Sequence, residues 1–178
     1  MDRTQTLKLA LECQHEDGSV DIVQLVSKVG IDVYGSEMSD DFNAEIIHLH
    51  AQDKFEIVVN TNLSLHQQRF SIAHELAHFI LHPDTIREYG SLKKAVVQSD
   101  PKYFPEIEKE ADDFGEDLLM PEALLRKNFS DIFETQQRIT FQRIQEIASQ
   151  FKVSILVAAS RLKKIRADIP YISISCAS

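Results

Sequence analysis

The sequence predicts an α+β fold in which a small antiparallel or mixed sheet packs on helices. Two patterns predict it. Residues 44 to 50 and 54 to 60 are β-branched and alternating, and the short polar turn Ala51-Gln52-Asp53 between them reads as the bend of a hairpin. Segments near 65–81 and 105–120 instead have helical period, and each is apolar enough to sit against a core. A length of 178 residues suits one domain with a sizeable core.

In chain order, residues 3 to 13 are mildly amphipathic through Leu7, Ala10 and Leu11, and a short helix fits Asp21 to Lys28, closed by Gly30. Ile31 to Tyr34 opens the β-rich section. Ser64 and Gln67 stand at capping-box spacing, so the next helix starts near Leu65 and stops before Pro83. Its Ile72, Ala73, Leu76, Ala77, Phe79, Ile80 and Leu81 cover most of the circumference, which makes it a central helix whose buried polar residues need partners. Residues 84 to 104 show no clear period and read as irregular, broken at Gly90, Pro101 and Pro105. Pro105 suits a first helical turn, and the helix it opens ends at Met120, before Pro121. Ile144, Ile147, Ala148 and Phe151, then Val153-Ser154, then Val157, Ala158 and Leu162 make two short helices about a tight turn, a C-terminal helix-turn-helix-like pair. The expected organisation is a main domain over 1–137, with 138–178 as a helical appendage or as part of the same domain.

The formal charge of −9 makes the whole molecule a poor electrostatic match for nucleic acid. The balance is uneven, however. Arg138, Arg143, Lys152, Arg161, Lys163, Lys164 and Arg166 face only Glu146 and Asp168 in residues 138–178, a local surplus of +5 that leaves −14 on the first 137. Cys13 and Cys176 sit near opposite ends with no pairing pattern, as free thiols in a reducing cytosol would. No apolar run approaches the roughly 20 residues that span a bilayer, and the first residues lack a signal-peptide core, so a cytoplasmic protein with no membrane partner is expected.

Chemistry concentrates in His74-Glu75-Leu76-Ala77-His78. On a helix, residues i and i+4 lie about 40° apart and about 6 Å along the axis, so the two imidazoles can converge on one tetrahedral metal. Glu75 then sits beside the metal, placed to take a proton from activated water and hand it to a leaving amine, which is peptide hydrolysis chemistry. HExxH is a short pattern, and a helix with two capped or core histidines also accounts for it. A third ligand separates the two explanations, because zinc peptidases of the His₂Glu type take one more carboxylate from a separate helix.

Glu108 and Glu110 are the candidates. Ile107, Ala111, Phe114 and Leu118 form one apolar stripe; Glu108, Asp112, Gly115 and Leu119 lie on one flank of it, and Glu110, Asp113 and Asp117 on the other. A flank with Gly and Leu is a buried one, whereas three acidic residues together suit solvent. The metal ligands are therefore placed at His74, His78 and Glu108, with Asp112 one turn on to accept the second ring N–H of a ligating histidine and Gly115 to let the helices approach. His82, two turns past His74, lies too far along the axis for the same coordination sphere and suits the helix C-terminus instead. His48, His50 and His66 fit strand or surface positions.

These residues resemble the ImmA/IrrE family of zinc metallopeptidases. The likeness rests on Ile57-Val58-Val59-Asn60, on Gln68-Arg69-Phe70-Ser71-Ile72-Ala73-His74-Glu75-Leu76-Ala77-His78, and on Glu108 with Ala111-Asp112, Phe114-Gly115 and Leu118-Leu119-Met120-Pro121, a run specific over residues 20 to 125 and weaker beyond. Gly115 stands where members usually have Ala, and Ala77 where they often have Gly, both small-for-small exchanges. The resemblance implies a zincin-like metallopeptidase domain over 1–137, zinc on His74, His78 and Glu108, Glu75 as general base, and a helix-turn-helix repressor of the Xre or phage kind as substrate, whose cleavage releases mobile-element or stress-response genes. The length matches the family's short form.

A zinc endopeptidase that cuts a repressor is thus the expected function, with manganese as an alternative metal because His₂Glu sites accept both. The hairpin edge near Lys54 to Asn60 is expected to hold the substrate strand by backbone pairing, and Tyr89, Tyr103 and Arg69 are candidate oxyanion donors. A metal-stabilised module that inactivates a repressor or toxin by binding alone is the alternative, but pure binding needs no base at Glu75. DNA binding through 139–165 is a third reading, opposed by the net charge and by Lys152 at the position of the usual turn glycine; packing or repressor contact is favoured for that pair.

Overall fold

The computed structural model describes residues 1–39, 41–91, 105–134 and 138–166. Two short helices lead in, α1 (Arg3–Glu12) and α2 (Ile22–Val29). Asp2 with Gln5 and Asp21 cap their N-termini, and Gly30 closes α2 in the left-handed conformation, φ +91°, which a side chain rarely adopts. The sheet has three strands, β1 (Asp32–Ser36), β2 (Ala44–Leu49) and β3 (Lys54–Asn60), in the order β1-β3-β2. β2 and β3 form the expected antiparallel hairpin, with Ile46 opposite Ile57, and β1 joins the other side of β3 in parallel.

That order corrects one expectation. β3 is the central strand, hydrogen-bonded on both sides, so the Lys54–Asn60 segment has no free edge for a substrate. The outer edge near the hairpin belongs to β2.

Helix α3 (Leu65–Leu81) starts at the Ser64/Gln67 capping box and ends two residues before Pro83, with His82 as its C-cap, as the sequence predicts. It packs between the sheet and α5 (Pro105–Leu119), burying Ala73, Leu76 and Ala77 against a core that includes Ile46, Ile57, Ala111, Phe114 and Leu118. Between them Pro83 opens α4 (Pro83–Tyr89) where an irregular segment was expected; the helix is only seven residues long and buries Ile86, too little periodicity to stand out in sequence. Gly115 is where α5 meets α3: a Cβ built there lies 3.3 Å from the backbone nitrogen of His74.

α6 (Glu122–Asn128) and α7 (Asp131–Glu134) then lead to the C-terminal pair, α8 (Phe141–Phe151) and α9 (Ile155–Ile165). Lys152, in the turn, adopts φ +53°. The strain of a side chain in this conformation is about 1 kcal/mol relative to glycine, and what lysine adds in return is the pairing of its amine with Asp17 at 2.5 Å; its backbone carbonyl accepts from Arg69 Nε at 3.2 Å.

Asp113 and Asp117 fall on a flank expected to be solvated, yet they face α9 and α1 instead. Asp117, 13% exposed, pairs with Arg3 and Arg161, while Lys164 holds both Asp113 and Glu116. Only Glu110, 64% exposed, stands mainly in solvent. Arg143 is likewise paired with Asp131 at 2.6 Å and Glu146 at 2.7 Å. The basic surplus of the C-terminal pair is therefore largely spent within the molecule, which fits packing rather than phosphate binding. Among the described residues no helix is long and apolar enough to cross a membrane.

The contact at Gly115 yields a prediction. Alanine there gains about 1 kcal/mol of helix propensity and loses a comparable amount pushing α3 back by a few tenths of an ångström, so Gly115→Ala is expected to be near neutral. Gly115→Val adds bulk with no helix-propensity gain of that size, and a loss of about 1–3 kcal/mol is expected, a fall in melting temperature of roughly 3–10 °C. Equal melting temperatures for Gly115→Val and the parent chain would show that the helices are not in tight contact here.

Candidate metal centre

The capping box sets the phase of α3, and this phase puts His74 and His78 on one face, their rings edge to face with centroids 4.5 Å apart. α5 brings Glu108 and Asp112, also one turn apart, to that face. The two Nε2 atoms are 2.9 Å from each other, and the Glu108 carboxylate lies 3.4 Å from Nε2 of His74 and 3.5 Å from Nε2 of His78. Ligands about 2.0–2.2 Å from a tetrahedral ion stand roughly 3.3–3.5 Å from one another; both histidine–carboxylate spacings match this, the two rings would open by a few tenths of an ångström to do so, and the donor set suits a divalent metal. Among the described residues this is the one cluster of three such donors. Glu110 is not in it; its carboxylate approaches His82 at 3.6 Å, and His82 closes α3 as a backbone cap.

Asp112 accepts from Nδ1 of His74 at 2.8 Å, which turns Nε2 of that ring toward His78 and Glu108. Burial opposes charge on His74, but the bonds to Asp112 and Glu108 and the nearby Glu75 outweigh it and push the ring's pKa up to about 10. Burial works the other way on Glu108, where the two histidines prevail and hold its carboxyl well below the usual range. His78 is buried beside the His74 cation, and its pKa is lowered.

Glu75, on the same helix, reaches β2 beside the cluster. It is 5% exposed, and one carboxylate oxygen accepts the backbone N–H of Ile46 at 3.0 Å. Burial raises its pKa to about 7, although His74 and the Ile46 N–H pull against the rise. Glu75 lines a cleft of about 380 Å³ that opens over the cluster, with Asp41, Phe42, Asn43 and Ala44 on one wall and Phe70, Ser71 and Asp112 on the other.

Asn60 was not singled out for any role in the sequence. It is fully buried at the end of β3; its amide donates to the carbonyls of Met38, Ser39 and Phe42, and its oxygen accepts from Met38 and Asn62. Those bonds hold the segment that forms the first wall of the cleft. The signals available were an amide that ends the Ile57-Val58-Val59 run and its place in the motif that carries the family resemblance. Arg69 is placed differently from expectation. It donates to the carbonyls of Val20, Phe151 and Lys152 and ties the C-terminal pair to α3, with no place in the cleft lining. Tyr103 and the side chain of Tyr89 lie outside the described part of the structure. His48 is stacked on Phe55 in β2 and bonded to Asp53 at 2.9 Å.

A search of curated proteins gives no match. Among solved structures, the fold is similar to that of a Mycobacterium tuberculosis transcriptional regulator, with a TM-score of 0.56 and 19% identity over 90% of this chain and 46% of that one. The chain thus spans under half the length of that protein, and the likeness is one of fold. The family model described as Peptidase M78, IrrE N-terminal-like domain, matches residues 28–163, from the end of α2 into α9, further along the chain than the motifs alone reach. With a match over most of its length, the chain belongs to the Peptidase M78, IrrE N-terminal-like domain family.

Proposed function

We propose that this protein is a zinc-dependent endopeptidase that cuts a helix-turn-helix repressor and so relieves repression of its target genes. The observation that carries the reading is Glu75: a carboxylate only 5% exposed, beside a two-histidine, one-carboxylate cluster and lining the cleft. A module that merely binds its partner has no use for such a base. The repressor as substrate is drawn from the family resemblance.

In this reading His74, His78 and Glu108 hold the metal, and Asp112 orients His74. Zinc in such a site supplies Lewis acidity, polarising a carbonyl and acidifying water. The chain's own groups do the rest. Asn43 directs its carbonyl to Asn60 on β3, so alternation turns the peptide groups of Ala44 to the outer edge of β2, beside the cleft, where an extended peptide can pair with them. Further along that edge the N–H of Ile46 is taken by Glu75 and that of His48 by Gly90, which limits the pairing to the Ala44 end. Anchored by Ile46, Glu75 accepts a proton as water adds to the scissile carbonyl carbon. It returns that proton to the amide nitrogen as the C–N bond breaks, so one carboxylate serves first as base and then as acid.

Two outcomes follow. Metal-free His74 is protonated near pH 7, since its pKa is raised to about 10; a ring that keeps its Nδ1–H on Asp112 and offers Nε2 to a metal must lose one proton. Zinc uptake is therefore expected to release about one proton per site and to tighten as pH rises toward that value, read by calorimetry in buffers of different ionisation enthalpy. Uptake without proton release would contradict the ligand assignment. Co-expression with a cognate repressor, followed by intact-mass analysis, tests the function: two defined fragments are expected with the parent chain, and a loss of about 10²–10⁴ in cleavage rate with Glu75→Gln at unchanged zinc content. An uncut repressor that co-purifies with both versions would replace the peptidase by a binding module.

A further inference from the structure

Beside the cleft lies a second, smaller hollow of about 110 Å³ between the first turns of α3 and α9. It shares Asn43, Phe70 and Ser71 with the cleft and adds His66, Gln67, Ser154 and Val157. Sharing three lining residues, the two adjoin, which brings this hollow within reach of a side chain next to the bond being cut in a peptide lying across His74 and Glu75.

What the hollow offers such a side chain follows from how its walls are bonded. The Gln67 amide oxygen accepts from the backbone and hydroxyl of Ser64, closing the cap of α3. Ser71 donates its hydroxyl to the Gln67 carbonyl at 2.9 Å, and Ser154 spends its hydroxyl oxygen on the Val157 N–H at the start of α9. With these groups engaged, the Phe70 ring and the Val157 methyls are the apolar contact surface of the hollow, alongside the His66 ring and the Asn43 side chain. Among the described residues no carboxylate, lysine or arginine lines the hollow. A cavity of about 150 Å³ takes up benzene, so 110 Å³ is sized for an aliphatic side chain and too small for an aromatic one.

We propose that this hollow is the side-chain subsite that selects an aliphatic residue of valine or leucine size beside the scissile bond, with Val157 of the C-terminal helical pair as its specificity-determining wall. The helix-turn-helix-like pair is then part of the substrate-reading surface. This inference rests on the peptidase reading above, and its test is separable from that one.

The experiment uses the full chain loaded with zinc, as parent, Val157→Ala and Val157→Phe, each incubated with a library of peptides from digested proteome and read by mass spectrometry of the cut sites. For the parent chain, Val and Leu are expected to be enriched at one position flanking the cut. Val157→Phe should shift that position to Gly, Ala or Ser, and Val157→Ala should admit Phe and Met there, each by about tenfold or more relative to the parent. Zinc content equal in all three shows that the fold survives. An identical preference in all three chains overturns the subsite while leaving the peptidase in place. No cleavage of the library by a parent chain that does cut its repressor in co-expression also overturns it, because a side-chain subsite of this kind acts on short peptides as well. No cleavage in either assay removes both readings.

Discussion

The arrangement depends on how closely α5 lies against α3. His74 and His78 belong to one helix and Glu108 and Asp112 to the other, so the separation of the two axes is also the separation of the donors. Gly115 permits that approach by having no side chain to place between itself and the His74 backbone, two turns along α5 from Glu108. The sheet holds α3 from the other side and sends the Ile46 N–H to Glu75. A shift of either helix by an ångström would therefore move ligand and base positions relative to each other. Groups that act together need placement finer than that.

A second constraint is electrostatic. The cluster gathers two imidazoles and three carboxyl groups, counting Glu75 and Asp112, in a space partly closed to water. Each finds a counterpart: Asp112 and Glu108 for His74, the two rings for Glu108, and a backbone N–H for Glu75. Arg3, Arg161 and Lys164 neutralise Asp113, Glu116 and Asp117 further round the same helix. α5 thus presents acidic groups on two faces, one turned toward the cluster and the other bonded to the rest of the fold. Removing Arg161 while keeping Asp117 would leave that carboxylate, 13% exposed, with Arg3 as its remaining partner, whereas losing both arginines would strand it.

Much of this was legible in local pattern. The Ser64/Gln67 box located the start of α3, the i, i+4 histidines announced a shared face, and the angular position of Glu108 relative to Ala111 and Phe114 separated it from Glu110. What escaped was non-local. β3 is central only because β1 returns to it in parallel, which no property of residues 54–60 reveals. Asp113 and Asp117 look solvated until Arg161 and Lys164, over forty residues on, are folded against them. The role of Asn60 depends on carbonyls some twenty residues earlier, and α4 is a helix made mainly by its Pro83 start and one buried isoleucine, Ile86.

Crystals of the zinc-loaded chain, with anomalous diffraction recorded on both sides of the zinc edge, test the metal assignment most directly. One peak is expected about 2.0–2.1 Å from Nε2 of His74 and of His78 and about 2.0–2.2 Å from a Glu108 carboxylate oxygen, with Glu75 close by but not bonded to the ion. A peak ligated by Glu110 or His82, or by Glu75 itself, would contradict both the ligand set and the assignment of Glu75 as the base.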